Sequence, residues 1–283
     1  MDKAIIDTTV LTDVLLNSGE AKAVALKAVN FYLHTYLPVY AIKEFKAGPL
    51  KNFVWMHNKF VITKSYEESI DALQRMSRTP KRYTTSTALQ ALREAAGSIA
   101  KKTPAELIKK YGESESMDKI LCDENRLALK YKILSAWKKR RKVSTDILSP
   151  LPCYREVPPY EKRGLLELDP KGCDSKIECS ISSVLKGKPH ELKKLRDVIK
   201  ESDKPENVRR SKALRQLYRK PGAFFGDQEC RNLGDAIFAF LAPADAEILT
   251  TNIRDHGLLA QALGKLAITP QQVISKRCGD DNN

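Results

Sequence analysis

Two short apolar runs, each followed by an acid and a helix pattern, lie at opposite ends of this 283-residue chain. Near the start, Ala4-Ile5-Ile6 runs into Asp7, and Thr8, Thr9 and Thr12 then alternate with Val10, Leu11, Val14, Leu15 and Leu16. Near the end, the apolar run Glu247 to Thr251 gives way to Asn252-Ile253-Arg254-Asp255. A helix pattern of Leu258, Leu259, Ala262 and Leu263 follows and stops at Gly264. Runs this short and uniformly apolar read as buried strands. In open α/β sheets, ligands bind beyond the carboxyl ends of the strands, which is where Asp7 and Asp255 stand. Two more acids have comparable positions. Asp235 opens the apolar helix of Ile237, Phe238, Phe240 and Leu241. Glu44 lies on VYAIKEFKAG, a short helix begun by Pro38 and stopped by Gly48-Pro49. Carboxylates from separate elements suit a hard divalent cation, which needs several oxygen ligands. Two such ions can activate a water and stabilise the leaving oxygen of a phosphodiester.

Taken in order, the segments AIIDTTVL, YLPVYAIKEF and LGDAIFAFLAPADAEILTTNIRDHGLL resemble the PIN-domain nucleases. The resemblance covers the first and last ~60 residues, each piece being a short motif. It implies a PIN-like, Rossmann-like α/β core with a parallel sheet. It also implies divalent-metal-dependent endonucleolytic hydrolysis of phosphodiester bonds, with RNA preferred to DNA. Asp7, Glu44, Asp235 and Asp255 would hold Mg²⁺ or Mn²⁺, and the metal-bound water would attack phosphorus in line. Thr9 and Asn252 are expected to orient carboxylates or the attacking water. The chain departs from the family at two points. Asp7-Thr8-Thr9 stands where many members have Asp-Thr-Asn, and Ile253 stands where the fourth acid often follows Thr-Asn, the acid coming two residues later as Asp255.

Charge divides the chain. Residues 59–220 hold 38 Lys and Arg against 22 Asp and Glu, a net of +16; the rest hold 11 against 13, a net of −2. Residues 1–58 and 221–283 therefore read as the nuclease core, and 59–220 as a large, basic, mainly helical insertion. A basic surface separate from an acidic centre fits one part that cuts and another that holds a polyanion. The plain alternative is that Lys-rich helices are solvated faces. Nucleic-acid contacts are assigned to Lys138, Lys139, Arg140, Arg141 and Lys142, at the end of a long helix over Ser116 to Lys142, and to Arg209, Arg210 and Arg215 on a later one. Cations near a helix C-terminus also meet the macrodipole, and a partner-docking surface competes for the same cluster.

Within the insertion, SYEESIDALQRM, STALQALREAAGSIA and TPAELIKKYG read as amphipathic helices, the last capped by Thr103 with Pro104 in its first turn. SPLPCYREVPP reads as a linker or lid. LLEL and KIECSI, separated by Asp169-Pro170-Lys171-Gly172, read as a hairpin. The tail from Lys276 is expected to fray. Plain roles suit several residues near the acids: Arg231 and Asp235 are spaced for a helix ion pair, Asp245 shapes the Pro243 turn, and His57 and His256 are read as structural or exposed.

The six cysteines form no CxxC pair and read as free cytoplasmic thiols. No run of 18 apolar residues suggests a membrane span, and the N-terminus lacks the basic leader and small-residue cleavage site of a signal peptide. The expected partner is nucleic acid, with a regulatory protein as a further possibility, and the sequence does not set the oligomeric state. Two alternatives stand beside an RNA endonuclease: a DNA or structure-specific nuclease with the same centre, and a catalytically weak nucleic-acid-binding or protein-docking module.

Overall fold

Residues 2–78, 82–148, 154–169, 180–200, 204–219 and 227–279 are described here, from a computed structural model. The first apolar run is strand β1 (Lys3–Ile6), with Ala4, Ile5 and Ile6 fully buried. Helix α1 (Thr8–Leu15) starts directly after it because the Asp7 side chain accepts from the Thr8 and Thr9 amides and caps the first turn. Helix α2 (Gly19–Asn30) then leads to β2 (His34–Pro38), which pairs in parallel with β1, Ala4 opposite Thr35. Helix α3 (Val39–Phe45) follows, but Gly48-Pro49 does not stop it. A π-helical turn over Lys46–Leu50 carries the chain into α4 (Lys51–Thr63). Proline has no N–H and crowds the preceding turn, and the wider turn accommodates both defects.

Four helices follow: α5 (Tyr66–Ser77), α6 (Arg82–Ile99), α7 (Pro104–Tyr111) and α8 (Met117–Lys139). Helix α7 begins with the expected Thr103 cap, completed by Glu106 as a capping box. Helices α4, α6 and α8 pack on one another. Glu124 of α8 is 2% exposed and gathers this layer: Lys110 Nζ donates at 2.7 Å, Tyr111 Oη at 3.0 Å, and Lys102 also pairs with it. Burial alone would raise its carboxyl, but Lys102, Lys110 and Tyr111 prevail and hold it at about 2. A folded-state pKa below the unfolded one adds stability that is full above the ordinary glutamate range and is lost as pH falls toward 2. Glu124→Gln is expected to cost roughly 1.5–3 kcal/mol at neutral pH, the worth of hydrogen bonds to charged groups. It should also flatten the loss of stability below about pH 4.5, measured by urea unfolding at stepped pH. An acid limb as steep as in wild type would show that this carboxylate is not the group responsible.

The chain then returns to the sheet. Strand β3 (Asp146–Leu148) pairs in parallel with β2, Tyr36 opposite Asp146. Two strands form a separate antiparallel hairpin, β4 (Tyr160–Lys162) and β5 (Leu165–Glu167). LLEL thus pairs with the segment before it. The turn explains this choice: Arg163 and Gly164 both have positive φ, 52° and 79°, as a two-residue type I′ hairpin requires. Residues 170–179 lie outside the described residues, and α9 (Ser180–Lys186) takes up the end of KIECSI. Next come α10 (Pro189–Ile199), α11 (Pro205–Arg219), α12 (Asp227–Leu233) and α13 (Asp235–Leu241). Strand β6 (Glu247–Leu249), α14 (Ile253–Ala262), β7 (Ala267–Ile268) and α15 (Pro270–Gly279) end the described chain.

The result is an α/β fold on a five-stranded parallel sheet of order β3-β2-β1-β6-β7. Strands β1 and β6 are neighbours, Ile5 opposite Ile248, while their following segments lead to opposite sides of the sheet. That divergence opens a crevice at their carboxyl ends. The boundary at residue 59 falls inside α4, and segment 59–220 supplies the edge strand β3. One hydrophobic core runs through the nuclease-like shell and the intervening helices. The described part of the tail is helical to Gly279, and Lys276 Nζ lies 3.3 Å from the buried Glu247; residues 280–283 lie outside the described residues. Cys122, Cys230 and Cys278 are free thiols, and Cys153, Cys173 and Cys179 lie outside the described residues. No helix among the described residues is long and apolar enough to cross a membrane.

Candidate active site

Asp7 stands where β1 meets α1. Its backbone N–H donates to the Leu249 carbonyl at 3.0 Å, fixing it between β1 and β6. Its Oδ1 accepts from the Thr8 amide at 2.6 Å. Its Oδ2 accepts from Thr9 Oγ1 at 2.6 Å and Thr250 Oγ1 at 2.8 Å. Thr9 thus orients this carboxylate, as expected. Thr250, a fully buried hydroxyl at the end of β6, does the same and was not anticipated. Its signal in the sequence was a polar residue closing an otherwise apolar strand. Thr8 was also missed: its Oγ1 donates to Glu44 Oε2 at 2.8 Å and joins α1 to α3.

Asp235 comes from the other side. Asp235 opens α13 as the apolar pattern suggested, and the alternative of one helix through Arg231 fails because α12 ends before Gly234, with φ 48° and ψ −123°, so the two residues do not share a helical face. A side chain at 234 would be strained at that φ, and its Cβ would stand 3.4 Å from the Arg231 carbonyl. The break aims Asp235 at Arg210 of α11, whose Nη2 donates to Oδ2 at 2.9 Å. The same guanidinium donates to the Leu233 carbonyl at 3.0 Å and to Asn207 Oδ1 at 2.5 Å.

His256 closes the arrangement. It is 1% exposed, not a surface residue, and its ring meets Phe238 edge-on at 5.5 Å. Its Nε2 lies 3.4 Å from Asp7 Oδ1 and 3.3 Å from Asp235 Oδ1, while neither ring nitrogen makes a well-formed hydrogen bond. The contact is therefore mainly electrostatic. Burial works against the imidazolium, but Asp7, Asp235 and Glu44 outweigh it and raise its pKa. Burial likewise works against the Asp7 carboxylate, and His256, Thr9 and Thr250 prevail to hold it below its usual range.

The remaining acids interact through space. Burial raises Glu44 first, then the charges of Asp235 and Asp7, bringing it to about 7 against the hydrogen bonds of Thr8 and Tyr40. Asp235 is also raised, mainly by burial, with Asp7 and Asp255 adding to it and His256 and Arg210 opposing. Asp7, Glu44 and Asp235 thus face one crevice. Asp255 lies in the first turn of α14, where Asn252 Nδ2 donates to its Oδ2 at 2.8 Å. Asn252 orients a carboxylate as expected, and that carboxylate is Asp255, at the rim.

The donors are hard oxygens, the kind Mg²⁺ and Mn²⁺ take, and the repulsion that raises Glu44 and Asp235 is what a divalent cation relieves. The residues therefore fit such an ion in chemistry. Among the described residues, however, no three His, Cys, Asp or Glu side chains stand together at ligand spacing, and His256 and Arg210 already neutralise Asp7 and Asp235.

The expected nucleic-acid contacts divide. Lys138, Lys139 and Lys142 are exposed at the end of α8. Arg140 and Arg141 both pair with Glu156, and Arg140 stacks on Trp137 at 3.9 Å, so these two are spent on holding the chain around Glu156 against α8. The same segment accepts Lys46 Nζ at the Val157 carbonyl, 3.1 Å away, and its described part is pinned, not a free linker. Arg209 and Arg215 are exposed on α11. Arg210 is not on that surface: it is 5% exposed and its donors are turned to Asp235, Leu233 and Asn207. Its inward turn pairs it with the part-buried Asp235 carboxylate. No family profile, curated protein or solved structure matches the chain.

Proposed function

We propose that the protein is a divalent-metal-dependent, PIN-like endonuclease that hydrolyses phosphodiester bonds, with RNA as its substrate. The observation that supports the reading is the meeting of Asp7 and Asp235 at His256 Nε2, 3.4 and 3.3 Å away, beyond the carboxyl ends of β1 and β6, with Glu44 tied by Thr8 to the helix that Asp7 caps. Carboxylates whose pKa values are perturbed by burial and by one another are candidates for functional sites. Asp7, Glu44 and Asp235 would hold Mg²⁺ or Mn²⁺, with Asp255 reaching in from the rim. A divalent ion there supplies a water nucleophile at neutral pH and neutralises charge developing on the phosphoryl oxygens. Thr9 and Thr250 fix the Asp7 carboxylate, Thr8 fixes Glu44, and Asn252 fixes Asp255. Exposed cations of segment 59–220 offset the repulsion between an acidic crevice and a polyanion.

The pairing of Asp7 and Asp235 with His256 and Arg210 favours a second reading. In it these acids are internally neutralised, and the chain is a catalytically weak nucleic-acid-binding module. One experiment decides. Single-stranded RNA incubated with the full chain should be cut in Mg²⁺ or Mn²⁺ and left intact in EDTA. Asp255→Asn should raise the metal concentration needed for half-maximal rate by about 10-fold or more while leaving some cleavage, because the other three acids remain. Cleavage that persists in EDTA would remove the metal mechanism. Binding without cleavage in any divalent metal would establish the second reading.

A further inference from the structure

Helix α11 uses one face for Arg210 and presents another to α10. Ser211, Arg215, Tyr218 and Arg219 line a groove of about 290 Å³ together with Arg196 and Lys200 of α10. The single acid lining it, Asp197, sits 3.3 Å from Arg196. Among the described residues, Lys200, Arg215 and Arg219 take part in no ion pair. A cation near the end of each helix answers the macrodipole. Four converging on one groove exceed that need and repel one another until an anion arrives. Tyr218 stands among them half exposed, at 48%, with the Arg196 guanidinium 5.0 Å from its ring centre.

We propose that the groove between α10 and α11 binds a single-stranded segment of RNA. Its phosphates lie along Lys200, Arg215 and Arg219, and a base stacks on the Tyr218–Arg196 pair. An acidic peptide would satisfy the cations but has no use for an exposed aromatic face beside them, whereas a nucleic acid strand brings a planar ring with each phosphate. The assignment rests on the nucleolytic reading above and extends it. It places the grip on the helix that also touches the acids, since Tyr218 lies eight residues beyond Arg210, about 12 Å along the axis.

The test uses the full chain and a fluorescein-labelled oligouridine of about 12 nucleotides, within the site sizes of single-strand binders. Anisotropy in EDTA reads the grip, and cleavage in Mg²⁺ or Mn²⁺ at saturating RNA reads the chemistry. Arg215→Gln combined with Arg219→Gln should weaken binding roughly tenfold and lower the slope of log affinity against log salt by about 1.4, two contacts at about 0.7 each. Tyr218→Ala should weaken binding several-fold with no change of slope, because stacking releases no counterions. All three substitutions are at exposed positions, and unchanged thermal melting confirms that the variants fold. Wild-type affinity and slope in both variants would overturn the groove while leaving the nucleolytic reading to the cleavage assay. Groove-dependent binding without cleavage would uphold the groove and reject the nuclease. Preference for a polyglutamate peptide over oligouridine, with Tyr218→Ala neutral, would overturn the RNA assignment in favour of an acidic protein.

Discussion

Asp7→Asn is expected to lower RNA cleavage by more than about 10²-fold while leaving a folded chain. Losing a residue that merely orients a metal ligand typically costs about 10–100-fold, so losing the most constrained ligand should cost more. Asp7 is the carboxylate most firmly held, with two hydroxyls and two amides directed at it and its own N–H tied to β6. The fold survives because asparagine caps a helix about as well as aspartate, at a cost of a few tenths to about 1 kcal/mol. The added cost is local. One oxygen becomes an NH₂ that faces hydroxyl donors, and His256 loses half of its negative surroundings. The measurement is a single-turnover cleavage rate at saturating Mg²⁺ or Mn²⁺ beside a thermal melt. A variant that melts normally and cuts at the wild-type rate would place the chemistry elsewhere in the molecule.

The second large effect is on stability. Arg210→Met should destabilise the protein by about 1–3 kcal/mol, because it leaves buried and part-buried acceptors without their donor while His256 still stands beside Asp235. Three acceptors lose their donor together: Asp235 Oδ2, Asn207 Oδ1 and the Leu233 carbonyl. They belong to α11, to the end of α12 and to the start of α13, so the guanidinium also ties the basic helices to the acid they adjoin. Arg210→Lys should recover little, since a single ammonium does not reproduce a fork that reaches three directions. Urea unfolding of both variants checks this. Near-wild-type stability for Arg210→Met would mean that water satisfies Asp235 and that the residue belongs to the outer surface after all.

The acids of the crevice were legible because each follows a local rule. Asp7 closes an apolar strand and caps the next helix, Glu44 lies on a proline-started helix, and Asp235 opens another. Their neutralising partners were not, and the reason is physical. Arg210 meets Asp235 only through the packing of α11 on the following elements; its spacing of three, four and seven residues before Ala213, Leu214 and Leu217 put it on the apolar face of α11, and that spacing was not weighed against the charge. His256 follows Asp255 in the first turn of α14, in a stretch whose sequence is polar, and the packing of α14 against Phe238 turns it inward. Short elements suffered for want of signal. Strand β3 is three residues, Asp146–Leu148, too few for any period to show, so the basic segment's share in the sheet stayed hidden. The pairing of β4 with β5 was missed because the apolar runs were weighed and the Arg163-Gly164 turn was not.

Strand β1 pairs with β6 across almost the whole chain, Ala4 against Glu247. Closing so long a loop adds little to the equilibrium cost, which grows only with the logarithm of length, but such distant pairing slows folding. The order of synthesis then matters. While a ribosome is still making the basic helices, Asp7 has neither Thr250 nor the Leu249 carbonyl to hold it, and Asp235 and His256 do not yet exist. Under the nucleolytic reading proposed above, the nascent chain would already carry its basic helices yet lack the carboxylate site assembled by β6, α13 and α14. Any hydrolytic capacity is thus withheld from the polysome, rich in RNA, until the last strands are in place.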